Sequence, residues 1–234
     1  MCPNGGVEIF WPDGLTSNFQ PQWLRERAWV DKKEQEEKIL WDSQYQLKKY
    51  QYNEILKSDS AMLQWLKDLS TFGLTVVENS PRTPTSLEIL QKKIGTAKST
   101  HFGSFWNVQT KPNAMNLAYT SARLGLHLDL PFYEYTPGVQ FLQCIMQYKG
   151  EGGANEFVDA FAVAEKMRKD CPNEFKILSD TQVHFWDAGS LDVDGDTEQT
   201  GKFHKRHSAS TFQLDNQHRL IKVFFNNQVK PSRI

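Results

Sequence analysis

The sequence predicts an α+β chain with a β-sandwich or barrel core and helical flanks, and three observations lead to this prediction. Two helix–strand units come early, many short β-prone segments follow from about residue 100, and one pair of helices interrupts those segments. Strands that follow a helical region in this way are typical of a packed or closed sheet with helices beside it. With 39% hydrophobic and 12% aromatic residues among 234, the chain can fill such a core.

The early units begin after a short strand, VEIFW, which the turn PDG ends. Ser58 or Ser60 can cap the next clear helix, which ends at Gly73 before the strand LTVVEN. The apolar stripe of that helix consists of Met62, Leu63, Leu66 and Leu69. A second capped helix, TPTSLEILQKKIG, ends at Gly95. These elements predict a helical flank ahead of the β-rich part.

The strands predicted after residue 100 are short runs separated by Gly, Pro, Asn or Asp. They are FGSFWNVQ, NLAYTS, GLHLDL, GVQFLQCIMQY, NEFVDAF, TQVHFWDA, HSASTFQLD and RLIKVFFNN. The glycine pair at 152–153 predicts a hairpin turn before NEFVDAF. Between the strands, AVAEKMRKDCPNEFKILS predicts two helices that Pro172 separates.

Charge and cysteine content exclude several classes of protein. Lys and Arg total 27 against 28 for Asp and Glu, so no global field favours nucleic acid or an anionic membrane. Cys2, Cys144 and Cys171 lie far apart, which argues against a disulfide framework and a thiolate zinc site. The N-terminal residues lack the pattern of a secretory signal, and no apolar run nears the roughly 18 residues of a membrane span. We expect no nucleic-acid or membrane partner and a cytoplasmic rather than mitochondrial location.

The segment LHLDLP contains the most informative polar pair, His127 and Asp129. On a strand, side chains two residues apart project to the same face, so an imidazole nitrogen and a carboxylate oxygen would point to one place. Such a pair supplies two of the three ligands of a facial triad for non-haem Fe(II). The motif is short, and a hydrogen-bonded pair at a strand end is the alternative that it leaves open.

The segments around this pair resemble the γ-butyrobetaine dioxygenase family, Fe(II)/2-oxoglutarate-dependent oxygenases of carnitine biosynthesis. The matching blocks are VEIFWPDG, GSFWNVQ, NLAYTSARLGLHLDLP, PGVQFLQCI, GGANEFVDAF, PNEFKILS and KVFFNN, in family order from residue 7 to residue 227. The related trimethyllysine dioxygenases share the HxD motif and remain a close alternative. The resemblance implies a double-stranded β-helix, or jelly roll, that hydroxylates a trimethylammonium-bearing carboxylate. It also implies Fe(II), O₂, 2-oxoglutarate as cosubstrate and ascorbate as reductant.

The resemblance implies a role for seven residues. His127 and Asp129 match two iron ligands. Three aromatic residues match walls of a trimethylammonium cage, and two asparagines match amides that contact the substrate carboxylate. They are Phe102, Trp106 and Tyr119 for the cage and Asn116 and Asn226 for the carboxylate. A quaternary ammonium has no hydrogen-bond donor, so the faces of aromatic rings are suited to hold it. Phe102 replaces a more usual tyrosine, and Leu130 lies where the family can have another.

Both ends of the chain depart from the family pattern. Residues 1–45 match a remnant of an N-terminal zinc module, but Leu15 lies where its histidine would be, so we expect no zinc. Residues 46–234 match an oxygenase domain that ends before the family's second iron-binding histidine and its 2-oxoglutarate-binding arginine. His204 and His207, in HKRH, do not lie in the context of the missing ligand. We therefore expect a C-terminally truncated jelly roll that lacks its last strands and the third metal ligand.

Two hypotheses from different classes follow. Either the sequence is part of a γ-butyrobetaine dioxygenase-like enzyme, or it is a non-catalytic relic that at most binds betaines. The small-molecule partner is a betaine in both cases, as substrate or as ligand, and the sequence leaves a homodimer open.

Overall fold

The computed structural model describes residues 5–27, 38–112, 117–190 and 202–227. The chain divides into two compact units, Met1–Ile39 and Leu40–Ile234. In the first unit, β1 (Val7–Phe10) pairs antiparallel with β2 (Thr16–Phe19), and α1 (Pro21–Arg27) follows. The predicted strand VEIFW and its turn are confirmed here.

The second unit begins with two parallel strands and three helices. These are β3 (Lys48–Gln51), α2 (Tyr52–Lys57), α3 (Asp59–Phe72), β4 (Thr75–Glu78) and α4 (Thr85–Ile94). The strands pair in parallel, with Lys48 opposite Thr75, and the helices α2 and α3 connect them. This is the helix–strand organisation that the sequence predicts for the early part of the chain.

Helix α3 shows which local predictions were correct. Ser58 caps it by accepting from the Ala61 backbone N–H, and Gly73 ends it at φ 72°, a conformation that glycine adopts without strain. The predicted stripe was partly wrong, because Leu63 is 53% exposed while Trp65 is 1% exposed. The Trp65 indole N–H also donates to Thr75 Oγ1 at 2.9 Å, which ties the helix to β4.

The rest of the second unit contains a short 3-10 helix, two α-helices and two antiparallel strand pairs. These are the 3-10 helix Leu117–Tyr119, α5 (Ala160–Asp170), α6 (Pro172–Asp180), β5 (Gln182–Ser190), β6 (Lys202–Ser210), β7 (Phe212–Leu214) and β8 (Leu220–Val223). Strand β5 pairs with β6, and β7 pairs with β8. The two predicted helices and their break at Pro172 are confirmed.

The described residues form four separate two-stranded sheets and no closed barrel, so the predicted jelly roll is not seen among them. Residues 101–112 and 120–158 contain no strand, although five predicted strands fall wholly or partly there. An alternating pattern predicts which face of a strand is buried, but a strand also needs a neighbour that completes its hydrogen bonds. In NEFVDAF, Asp159 instead caps α5 by accepting from the backbone N–H groups of Phe161 and Ala162.

An aromatic cluster positions the part of the chain that contains the HxD motif. Its buried members are Leu130, Phe132, Phe185, Ala209 and Phe224, with Phe102, Tyr133 and Val183 packed against them. Residues from the motif segment, from β5 and β6 and from the end of β8 therefore meet in one core. The described helices include none that is long and apolar enough to cross a membrane.

The β7–β8 turn depends on Asp215, whose charge gives the hairpin a pH dependence. Its carboxylate accepts from the backbone N–H groups of Gln217 and Arg219, each at 2.9 Å, and from the Arg219 guanidinium. The backbone and side-chain hydrogen bonds from Arg219 hold the pKa of Asp215 below its usual value. The carboxylate therefore stabilises the fold above the unfolded-state pKa of about 3.9, and this contribution is lost as the pH falls through the folded-state pKa.

We expect Asp215→Asn to lower the midpoint of thermal unfolding at neutral pH, with a difference that shrinks below about pH 4. Asp170→Asn is the control, because Asp170 forms only an exposed i,i+4 pair with Lys166 and should change the midpoint little. Circular dichroism melts across this pH range measure both variants. A difference that is the same at every pH would contradict the role of the Asp215 charge.

Candidate functional site

His127 and Asp129 lie side by side, although not on the predicted strand. His127 Nε2 and Asp129 Oδ1 are 3.2 Å apart, and the two side chains are 25% and 44% exposed. The chain between residues 126 and 130 is irregular, and Leu130 adopts φ 56°, in the left-handed region. The geometry brings the predicted pair together, but its cause is a turn of the backbone rather than the alternation of a strand.

The hydrogen bonds of the pair define what it can bind. His127 Nδ1 lies 2.7 Å from the Gly125 carbonyl oxygen, which can only accept, so Nδ1 carries a proton. In the neutral ring Nε2 then has a lone pair directed at the carboxylate. Gln140 Nε2 donates to Asp129 Oδ2 at 2.8 Å, which leaves Oδ1 facing the imidazole. Two lone-pair donors at this separation need a proton or a cation between them.

This arrangement fits two ligand positions of a divalent transition metal. A histidine ligand commonly donates its second ring N–H to a backbone carbonyl, as His127 does, because that bond fixes the tautomer and the ring orientation. Imidazole and carboxylate are also the donor types of the facial triad for non-haem Fe(II). Gly125 and Gln140 are supporting residues that the sequence alone did not indicate.

The backbone between the two donors is held from both sides. The Leu128 N–H donates to the Phe225 carbonyl at 2.7 Å, and Asn226 Nδ2 donates to the Leu128 carbonyl at 3.1 Å. Leu130 is 8% exposed and packs in the aromatic cluster. Asn226, itself 8% exposed, therefore supports the motif directly. The sequence predicts only a contact with the substrate carboxylate and does not indicate this structural role.

A third protein ligand is not found within the described ranges, where no group of three or more His, Cys, Asp or Glu side chains could hold a metal. His204 is exposed and His207 half-buried on β6, and their odd spacing places them on opposite faces of that strand. His184 Nδ1 lies 2.6 Å from Ser208 Oγ, on the same hairpin. The structure thus places the two histidines of HKRH on different faces of β6.

Two of the three expected cage residues touch each other. The rings of Phe102 and Trp106 lie 5.5 Å apart between centroids and are tilted by 32°, and both residues are half-buried. They belong to an irregular segment that starts with a turn, in which Thr100 and Gly103 exchange backbone hydrogen bonds at 3.0 Å. Tyr119 is 7% exposed, and Lys111 Nζ lies 4.7 Å from its ring centroid. Asn116 lies outside the described residues.

A buried polar group next to Phe102 was not indicated by the sequence analysis. The His101 side chain is 4% exposed, and its Nε2 lies 3.6 Å from Asp187 Oδ2. The Tyr133 hydroxyl lies 2.9 Å from His101 Nδ1 and accepts from the His101 backbone N–H at 3.0 Å. The position of His101 beside a candidate cage residue was the only signal in the sequence that could have indicated it.

Positive charge lies on another side of the aromatic cluster. Lys222 Nζ is 4.5 Å from the Phe224 ring centroid. Burial, followed by repulsion from Lys98, lowers the pKa of Lys222 below its usual value. A bound anion would relieve that repulsion.

Comparison with known proteins identifies the family of this chain. Residues 40–234 match the taurine catabolism dioxygenase TauD, TfdA family. The match covers most of the chain, and the chain therefore belongs to this dioxygenase family.

Individual relatives are enzymes that act on trimethylammonium compounds according to their names. The chain is 33% identical over 232 residues to the γ-butyrobetaine dioxygenase of Homo sapiens, an alignment that covers 96% of this chain and 58% of the relative. It is 34% identical to that of Pseudomonas sp. (strain AK-1), over 78% of this chain and 49% of the relative. It is 28% identical to the mitochondrial trimethyllysine dioxygenase of Gallus gallus, over 73% of this chain and 42% of the relative. The chain thus spans about half the length of the relatives that it matches.

Replacing Asn226 tests its support of the motif. Asn226→Ala would remove the hydrogen bond from this buried side chain to the Leu128 carbonyl, and we expect a loss of about 0.5–1.5 kcal/mol in the free energy of unfolding. Asn173→Ala is the matched control, since Asn173 is exposed on α6 and should change stability by less than about 0.5 kcal/mol. Urea unfolding measures both. Equal effects would show that Asn226 does not hold the motif.

Proposed function

We propose that this chain is part of an Fe(II)/2-oxoglutarate-dependent dioxygenase that hydroxylates γ-butyrobetaine or a similar trimethylammonium-bearing carboxylate. The proposal rests on one observation: His127 Nε2 lies 3.2 Å from Asp129 Oδ1. Because His127 Nδ1 donates its proton to the Gly125 carbonyl, Nε2 is the ring nitrogen that has the lone pair. Family membership and the names of the relatives support the reaction class. The proposal includes carnitine biosynthesis as the context and the cytoplasm as the location.

His127 and Asp129 hold the metal in this proposal. Bound Fe(II), with O₂ and 2-oxoglutarate, supplies the oxidising power to hydroxylate an unactivated C–H bond, while 2-oxoglutarate is converted to succinate and CO₂. Gly125 and Gln140 keep the two donors facing each other, and Asn226 holds the backbone between them. In this proposal the third ligand and a cation for the 2-oxoglutarate carboxylate lie past the FNN segment, where the family pattern places them. Ascorbate serves as the reductant that maintains Fe(II).

Phe102 and Trp106 bind the trimethylammonium group of the substrate. Their half-buried rings present π-faces to a cation that cannot donate a hydrogen bond, and each good contact contributes about 0.5–2 kcal/mol. Tyr119 forms a third wall. The ammonium of Lys111 lies over its ring in this structure and has to move away when the substrate binds. Asn116 and Asn226 contact the substrate carboxylate in this proposal.

The jelly roll is the fold that we propose for the oxygenase domain, residues 46–234. One observation supports it: the Leu128 N–H donates to the Phe225 carbonyl just after β8, as neighbouring strands of such a sheet would. A domain boundary after residue 45, with residues 1–45 a remnant of an N-terminal module, is part of the same proposal.

A trimethyllysine dioxygenase-like activity is the second candidate, favoured by the 28% identity to the Gallus gallus enzyme. Turnover with trimethyllysine and γ-butyrobetaine in parallel assays distinguishes the two substrates. A non-catalytic betaine-binding chain is the third, and it predicts binding without succinate release.

Metal binding tests the pair directly in the chain as it is. We expect Co(II), a spectroscopic substitute for Fe(II), to bind the wild-type chain, and His127→Ala and Asp129→Ala to weaken binding at least about tenfold each. His204→Ala is the matched control and should leave the affinity unchanged. Titration by visible absorption measures all four proteins. Unchanged affinity in both motif variants would contradict the metal site.

Turnover tests the reaction. Succinate release is measured with Fe(II), ascorbate, 2-oxoglutarate and γ-butyrobetaine, for this chain and for the product of any transcript that extends its reading frame. We expect release from the extended protein and loss of release in its His127→Ala variant. An extended protein that consumes 2-oxoglutarate with none of the trimethylammonium substrates would contradict the proposed substrate class.

The cage is tested by substrate affinity. We expect Trp106→Ala to weaken γ-butyrobetaine binding about fivefold or more, because a cation–π contact is lost. Trp23→Ala, at a 42% exposed position in the first unit, is the control and should have no effect on binding. Isothermal titration calorimetry gives both dissociation constants. Equal losses in the two variants would rule out a cage at Phe102 and Trp106.

A further inference from the structure

A stack of aromatic rings connects the β5–β6 hairpin to the candidate cage. The Phe203 and His101 ring centroids are 4.2 Å apart, those of His101 and Phe102 are 4.0 Å apart, and Phe102 contacts Trp106 at 5.5 Å. The stack begins at Gly189, where a Cβ atom would lie 3.1 Å from the Phe203 ring. The imidazole of His101 is thus held between two phenyl rings, one of which is a candidate cage wall.

The tautomer of His101 follows from its two neighbours. The carboxylate of Asp187, 3.6 Å from Nε2, disfavours a lone pair on that nitrogen, so Nε2 carries the proton. The Tyr133 oxygen accepts the His101 backbone N–H and is free to donate its own proton to Nδ1. The ring is therefore oriented with its Nε2–H towards the carboxylate, at a distance too long for a hydrogen bond, and Nε2 is buried without a hydrogen-bond partner within the described residues.

Asp187 places a negative charge at the far end of this stack. Its side chain is 31% exposed, and its cross-strand neighbour is Lys205. Lys205 Nζ lies 5.6 Å from the Tyr133 ring centroid. The potential at Phe102 depends on both charges, and the aspartate acts through the buried imidazole that stacks on Phe102.

We propose that Asp187, acting through His101, makes the face formed by Phe102 and Trp106 selective for a cationic ligand over a neutral ligand of the same shape. This inference rests on the proposed function and adds specificity-determining residues to it. His101 and Asp187 are positioning residues, since neither is proposed to touch the ligand. The π-face alone favours a cation, and the negative charge behind it increases that preference while leaving the apolar contacts unchanged.

The expected size follows from Coulomb's law. The imidazole of His101 lies between Phe102 and the Asp187 carboxylate, and at a separation on the order of 10 Å one unit charge at an effective dielectric constant of about 20 changes affinity about tenfold. Salt reduces the effect, because this distance exceeds the Debye length of about 8 Å at physiological ionic strength. We therefore expect a change of about threefold to tenfold at low salt.

The test compares two ligands on each variant of the full chain by isothermal titration calorimetry at low salt. One ligand is γ-butyrobetaine, and the other is its neutral-headed isostere, in which a tert-butyl group replaces the trimethylammonium group. We expect Asp187→Asn to reduce the ratio of the two affinities about threefold to tenfold, mainly by weakening γ-butyrobetaine. Lys205→Met should raise the ratio, because it removes a positive charge beside Asp187. Asp170→Asn, which removes a remote exposed carboxylate, should leave the ratio unchanged.

His101→Phe provides a second route to the answer. It keeps an aromatic ring in the stack and removes the N–H that attracts the Asp187 carboxylate, so the carboxylate turns towards solvent and the ratio should fall while binding of the isostere is kept. If Asp187→Asn does not fold, the other two variants decide. Lys205→Met should raise the ratio of the two affinities, and His101→Phe should lower it.

The outcomes separate this inference from the function on which it rests. Wild-type protein that binds neither ligand would overturn the proposed function and this inference with it. Wild-type binding together with an unchanged ratio in Asp187→Asn, or in both other variants, would overturn this inference alone. A ratio that Asp170→Asn lowers as much as Asp187→Asn would show a general charge effect, which also contradicts it.

Discussion

The candidate site depends on the clamping of one peptide unit, that of Leu128. Its N–H donates to the Phe225 carbonyl, and its carbonyl accepts from Asn226. Because His127 and Asp129 flank this residue, the bonds that hold it also set the separation of the two donor side chains. The clamp comes from the chain just after β8, so the hairpin β7–β8 and its Asp215 turn are part of the support of the site.

The clamp works together with the aromatic cluster. Leu130 turns the chain inward at a positive φ and enters the core beside Phe132, Phe185 and Phe224. Phe224 precedes the clamping residues, so the same core that buries Leu130 also anchors the partner of Leu128. Apolar burial thereby positions a polar pair that by itself has only its hydrogen bonds to Gly125 and Gln140.

The polar groups inside this core are arranged around aromatic rings. His101 is buried against Phe102 and Phe203, with Nδ1 within hydrogen-bond distance of the Tyr133 hydroxyl and Nε2 facing Asp187 at 3.6 Å. The hydrogen bond to Tyr133 and the charge of Asp187 offset part of the cost of removing this imidazole from water. This network joins the β5–β6 hairpin to Phe102, and it gives charges on the hairpin a physical connection to the candidate ligand face.

Local rules of capping and backbone conformation were enough to predict the ends of one helix and the break between two others. Ser58, Gly73 and Pro172 act through their own backbone conformation or side-chain oxygen, which needs no distant partner. The HxD pair and the family could also be recognised from the sequence, because spacing and ordered motifs are properties of the chain itself. The strands predicted between residues 100 and 158 were not confirmed, since the hydrogen bonds of a strand are completed by residues remote in sequence. Only the tertiary structure decided that Asn226 clamps Leu128 and that His101 stacks on Phe102 facing Asp187, because residues far apart in the chain make these contacts.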